Sequence, residues 1–247
     1  MRHTNRLAAS SLALCAFLAC EGRAPLAPEA ASATAAPRQT AISRLGQEAC
    51  ALTRNDFTLQ STNAYFPFDV GNLWVLRGDE DGVLTELRVS VLDDTQQIGG
   101  VTTRVIEERE SQNGELVEVS RNFFAATGEG TVCYFGEDVD IYANGAIVSH
   151  EGSWRADAPG NSAGIFMPAD PRPGVKFAIE GAPGVAEDQG QIVGVGSVGV
   201  PAGSFGETIR LREYNPLDGD KDYKVFAKGV GIVIDGPLAL VSYHVSE

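Results

Sequence analysis

Ser204 lies in AGSFG, residues 202 to 206, a loose copy of the turn that presents a nucleophilic serine. That turn needs a strand before the serine and a helix after it, so that the hydroxyl is strained and exposed. Here the residues that follow, ETIRLRE, alternate apolar and polar as a strand does. Beyond the N-terminal leader the histidines are His150, in VSHEGSW, and His244, beside Tyr243 near the end. A surface or hydrogen-bonded histidine is the simpler reading of each. The constellation is incomplete, so the expectation is a chain that is not an enzyme and has no catalytic residue. GVGSVG, residues 194 to 199, fits the glycine pattern of a dinucleotide-binding turn, but Val200-Pro201-Ala202-Gly203 and a strand follow it. The pyrophosphate would need a helix N-terminus there. No cofactor is expected.

Metal chemistry divides by ligand type. Two histidines and two cysteines offer no zinc spacing. Calcium takes six to eight oxygens, which carboxylates clustered on turns can supply. The candidates are Glu137, Asp138 and Asp140, then Glu187 and Asp188, then Asp218, Asp220 and Asp222. The run DGDKDYK lacks the central glycine and closing glutamate of an EF-hand loop, and solvated turns are the plainer reading of all three clusters. No metal site is expected.

The elements that would hold these residues are strands. Only Ile42 to Thr53, with Ile42, Leu45, Ala49 and Leu52 at helical spacing, reads as a helix. After Tyr65 the period becomes two. In TELRVSVL, Leu87, Val89 and Val91 face one way and Glu86, Arg88 and Ser90 the other; ETIRLRE repeats this with Ile209 and Leu211 inward. GDEDG, IGG, QNGE, ANG and LDGDKD supply turns at short intervals. The pattern predicts an antiparallel meander with one wet face. A fixed offset of 103 pairs Gly71 with Gly174, Gly78 with Gly181, Gly100 with Gly203 and Ile106 with Ile209. It also pairs Arg109 with Arg212, Glu110 with Glu213, Phe123 with Phe226 and Gly128 with Gly231, and sets Trp74 on Phe177. Half of these identities are glycines at turn-like places, where backbone geometry is most demanding. The expected fold is therefore mainly β: a curved antiparallel sheet or incomplete barrel, built of two related β units around one core, with few short helices. Leu73 to Leu76 is apolar on both faces, which calls for cover on both. If the closure leaves a cavity, Trp74, Phe123, Phe177 and Phe226 are the candidates to line it.

The first 40 residues carry a different message. Arg2 and Arg6 precede an apolar core, Leu7 to Ala19, that is too short to span a membrane, the pattern of a secretory signal. FLAC, Phe17 to Cys20, resembles the lipobox of bacterial lipoproteins, which implies an acylated N-terminal Cys20; ordinary cleavage after Ala33 is the alternative. Glu21, where aspartate would signal inner-membrane retention, points to the outer membrane. Glu21 to Thr40 is rich in alanine and proline and cannot bury a core, so it reads as a tether spanning roughly 25 Å. The organisation is then a signal at 1–19, an anchor, tether and short helix at 20–64, and a β domain at 65–247. The formal charge is −14, and loss of Arg2 and Arg6 makes it −16. Such a surface repels nucleic acid and anionic head groups, leaving the bilayer reached by the acyl anchor as the membrane contact. Of four cysteines, Cys15 falls in the signal and Cys20 is the anchor. Cys50 and Cys133 either bridge or stay as buried thiols; exported proteins seldom keep unpaired thiols, so the bridge is expected.

YFPFDVGNLWVLRG (65 to 78), VPAGSFGETIRLREY (200 to 214) and YKVFAKGVGIVIDGPLALVSYHV (223 to 245) resemble recurring segments of bacterial envelope lipoproteins. Their pattern is similar to that of the periplasmic lipoprotein-carrier class. The resemblance implies a strongly curved antiparallel sheet around an apolar cavity and carries over no functional residue. The expectation is a tethered, non-catalytic module that binds an apolar or amphipathic ligand or an envelope partner. A structural or assembly role without a small-molecule ligand, and an enzyme with an unseen site, are the alternatives.

Overall fold

Alternation governs the chain from Leu73 onward. The structure, a computed structural model, describes residues 48 to 246. The signal, Cys20, the tether and most of the helix expected over Ile42 to Thr53 lie outside the described residues; Glu48 and Ala49 are helical. The strands are β1 (Leu73–Glu80), β2 (Val83–Ile98), β3 (Val101–Gln112), β4 (Glu115–Ala126), β5 (Val132–Ala143), β6 (Ala146–Ser149) and β7 (Trp154–Arg155). They continue as β8 (Gly164–Met167), β9 (Lys176–Ala178), β10 (Gln189–Val200), β11 (Gly203–Tyr214), β12 (Lys221–Ala227), β13 (Gly231–Asp235) and β14 (Leu238–His244). Leu87, Val89 and Val91 are buried on β2, and Ile209 and Leu211 on β11, as the period of two requires.

All pairings are antiparallel, in the order β6-β5-β4-β3-β2-β1-β14-β13-β12-β11-β10-β9, with β7 and β8 also on β5. Sheet neighbours are chain neighbours everywhere along this path except at β1 and β14, where Trp74 faces Tyr243. Two meanders are thus zipped together by the first and last strands. The sheet curls until its far ends meet: β8 lies against β9, and Ser162 N donates to Gly181 O at 2.8 Å. No ladder joins β8 to β9, so the barrel stays open along a seam.

The two related β units are visible in the hydrogen bonds. Gly71 N donates to Val91 O (3.0 Å) and Val91 N to Asn72 O (2.9 Å); Gly174 N donates to Ile192 O (2.8 Å) and Ile192 N to Val175 O (3.0 Å). Gly71 and Gly174 hold φ of 90° and 95°, a left-handed backbone that glycine adopts without strain. Trp74 and Phe177 are both buried, as are Ile106 and Ile209. At the fourth strand of each unit the correspondence slips by one. Asn122 and Phe124 face inward on β4 where Lys224 and Phe226 do on β12, so Phe124, and not Phe123, is the inward partner of Phe226. An ungapped comparison cannot register a one-residue change in a hairpin.

Packing begins well before Tyr65. Cys50 is bonded to Cys133 across 83 residues, with Cα atoms 5.6 Å apart. Phe57 meets Phe135 edge to face at 5.2 Å, and Thr58 bridges to Ala126. Asn63 Nδ2 donates to Gly130 O and Pro168 O, both at 2.9 Å. The segment from Cys50 to Ala64 therefore packs onto the same core as the sheet, through the buried Cys50 bridge and Asn63 and the half-buried Leu52 and Phe57.

Candidate functional site

The inner face of the curled sheet gathers rings. Phe66, from the lead-in segment, lies 4.6 Å from Phe166 and 5.4 Å from Phe124, and those two are 5.0 Å apart. Phe226 approaches Phe66 at 6.4 Å and Phe166 at 6.2 Å. Trp74 completes the wall. Its Nε1 donates to Val230 O at 2.6 Å, and its ring covers Gly231, where a Cβ would come to 3.0 Å. These five rings, with Val89 and Ile232, enclose a pocket offering about 20 Å³, room for one or two water molecules. Its polar lining comes from Glu108 on β3, Asn122 on β4, Lys224 on β12 and Asp235 on β13.

Period two explains why a lysine reaches the interior: Lys224 and Phe226 share the inward face of β12. Lys224 Nζ donates to Asp235 Oδ1 at 2.8 Å and lies 3.3 Å from Glu213 Oε2, all three groups being buried. Burial alone would lower the Lys224 pKa; Asp235 and Glu213 more than reverse this and keep it ionised. Glu213 shows the opposite balance. Burial lifts it to about 7 although Lys224 pulls it down, since the ammonium sits closer to Asp235. The N-terminal meander answers with a neutral network: Tyr134 Oη donates to Asn122 Oδ1 at 2.7 Å, and Asn122 Nδ2 to Ser120 Oγ at 3.2 Å. Burial raises the Tyr134 phenol well above its ordinary value, so it stays a donor.

Behind this network lie further buried carboxyls. Glu137, 1 % exposed on β5, has no hydrogen-bond partner on either oxygen. Burial raises it to about 7, and Glu108 and Glu118 add repulsion. Glu180, 5 % exposed after β9, accepts from Asp188 N at 3.2 Å through Oε2 and has no partner on Oε1. Burial first, then Asp188 and Glu137, push it well up. Glu137 comes from one end of the sheet and Glu180 from the other, so like charges meet near the seam.

The residues singled out in the sequence scatter over the fold. Ser204 is exposed near the tip of the β10–β11 hairpin, with β11 and no helix after it. His150 Nδ1 lies 2.9 Å from both Asp140 Oδ1 and Val139 O, and His244 is exposed at the end of β14. Glu137 points inward while Asp138 and Asp140 bond Arg155 and Arg121. Asp218 and Asp220 sit on an exposed turn, and Asp222 lies on β12. No group of three or more His, Cys, Asp or Glu among the described residues is arranged to hold a metal. Trp74 and Phe226 line the pocket, whereas Phe123 and Phe177 are buried elsewhere; Phe123 carries the Arg155 guanidinium at 4.9 Å, and Phe177 packs on Gly190. The sequence reading missed Glu108, Asn122, Lys224 and Asp235. The inward parity of Lys224 with Phe226 was the signal that could have found one of them. No protein-family profile, curated protein or solved structure matches this chain.

Proposed function

We propose that the chain is an exported lipoprotein whose β domain is a non-catalytic binding module for an apolar or amphipathic ligand or envelope partner. The observation that carries this is the pocket, lined by five rings together with Glu108, Asn122, Lys224 and Asp235, inside a sheet left open along a seam. Apolar walls with a few convergent polar groups are the usual make-up of a small-molecule site. Cys20 is the acylated residue of this proposal, Glu21 to Thr40 the tether, and the outer membrane the surface from which the domain stands off. Its resemblance to the lipoprotein-carrier class agrees with a curved sheet built to receive a guest. The exposed Ser204 and the pairing of His150 with Asp140 support a role without catalysis.

The test is displacement of a fluorescent amphiphile from the purified full chain, with tryptophan emission followed in parallel. Saturable binding that Phe226→Ala weakens is the expected result. A structural or assembly role is the second reading, and the small room of about 20 Å³ favours it. Lack of saturable binding would leave that role standing. Cys20→Ser should release the protein from the membrane fraction; a wild-type chain beginning at Thr34 would refute the anchor.

A further inference from the structure

Strand β10 is paired along both edges for only part of its length. β9 pairs with Gln189 to Gln191, and Gly174 and Val175 exchange hydrogen bonds with Ile192. From Val193 to Val200, among the described residues, β10 has β11 on one side and no strand on the other. An uncharged open edge is a template for a further strand. This one lies in water: Val195 is 67 % exposed, and Gly196, Ser197 and Gly199 are exposed beside it. It also falls within Gln189 to Gly206, the longest stretch without Asp, Glu, Lys or Arg in a chain whose formal charge is −14.

The glycines of this hairpin fall into two kinds. Gly203 holds φ of 147° at the turn, and a Cβ on Gly190 would strike the Phe177 ring. Gly194, Gly196 and Gly206 answer to neither cause: none has a left-handed φ, and a Cβ on any of them would meet nothing within 4 Å. Glycine weakens a strand, and close approach of another backbone is the use that fits an open edge. We propose that β10 is where two copies of this chain meet, their free edges laid antiparallel about a twofold axis near Gly196. A twofold brings the same patch from each copy. Over most of the surface two such acidic chains repel, and at this edge neither brings a charge. A basic partner would be drawn to the acidic surface instead. A bilayer is a poorer fit, because the hairpin's one aromatic ring, Phe205, is turned onto Tyr243 at 6.0 Å and packed on the core. The pairing is independent of the pocket and of what it binds.

Sedimentation equilibrium of the purified full chain, from micromolar to millimolar and in mild detergent that masks an acyl anchor, tests this. A monomer–dimer equilibrium is the expected result. Added salt should strengthen it, because screening removes the repulsion between acidic copies. Val195→Glu puts a negative charge on an exposed side chain, so unfolding should not change while association weakens about tenfold or more. Gly196→Thr gives the strand a better strand former with nothing in its way. The monomer should therefore unfold no more easily than wild type, while association again weakens about tenfold. A chain that stays monomeric at every concentration would overturn the proposal, as would a dimer that neither variant weakens or that salt disperses. A monomer that binds phosphatidylcholine vesicles more tightly than its Val195→Glu variant would overturn it in favour of a bilayer contact.

Discussion

The two meanders build one frame and fill it with different chemistry. On β4 the inward pair is Asn122 and Phe124, and on β12 it is Lys224 and Phe226. The phenylalanines do the same work, walling the pocket. Asn122 closes a neutral network with Tyr134 and Ser120, whereas Lys224 ties two carboxylates from β11 and β13. Asparagine shows that the frame can fill this place without charge. Buried ion pairs are seldom worth more to stability than well-packed neutral groups, because desolvation offsets the attraction. The charges of the C-terminal meander are therefore poor candidates for fold-building, although removing one partner alone is costly.

Breaking the ionic side should cost the most. Lys224→Met leaves Glu213 and Asp235 buried without their cation, and about 3–5 kcal/mol of stability should be lost in urea unfolding near pH 8. Asn122→Ala, at the matching place, strands neutral groups, the Tyr134 and Ser120 hydroxyls, and should cost about 1–3 kcal/mol. Equal losses at the two positions would erase the contrast. The disulfide is a second asymmetry, since Cys50–Cys133 ties the lead-in segment to β5 of the N-terminal meander. Removing it as Cys50→Ala with Cys133→Ala should cost about 4 kcal/mol on loop-closure grounds. Hydrogen exchange should quicken first in residues 50 to 64 and in β5; uniform loosening of both meanders would contradict this.

Glu137 sharpens the comparison through pH. Its carboxyl titrates at about 7 in the fold against an ordinary 4.5. Between those values the folded chain holds a proton that the unfolded chain has released, so stability falls as pH rises through that window. Below it both forms are protonated, and above it the loss is complete. Glu137→Gln removes this dependence. Its gain over wild type should grow from nothing near pH 4.5 to about 3 kcal/mol above pH 7, read from denaturation midpoints. Glu213, also held at about 7, should leave a second slope of the same sign in the variant. A gain that does not vary with pH would show that Glu137 is not held protonated by burial.

The legible part of this fold was its period and its punctuation. Leu87, Val89 and Val91 declare their face because one side of a sheet is wet, and Gly71 and Gly174 declare a backbone that other residues resist. The Cys50–Cys133 bridge was legible by elimination. The site was not. Whether Glu108, Lys224 or Asp235 points inward depends on strand parity, and parity depends on hairpin length, which changes by one residue between the two units. That single slip put Phe123 forward in place of Phe124. Nor could Glu137 be told from Asp138, since adjacent acids on a strand look alike until one face closes over them.

The smallest effect bears most directly on the duplication. Gly71 and Gly174 occupy the same turn of each unit, with φ of 90° and 95°, and a Cβ at either would touch nothing within 4 Å. The cost of alanine at each is then backbone strain alone, without a clash, and should be about 1 kcal/mol, in the range for a left-handed residue. Each glycine also donates to an inward residue of the neighbouring strand, Val91 on β2 or Ile192 on β10, and alanine leaves that bond in place. Gly71→Ala and Gly174→Ala should therefore lower stability by the same amount, to within about 0.5 kcal/mol, and the double variant by their sum, since distant sites add. Thermal and urea unfolding of the three variants measure this. If one substitution is silent while the other costs several kcal/mol, the shared hydrogen bonds do not reflect equivalent turns, and the two meanders are alike in path only.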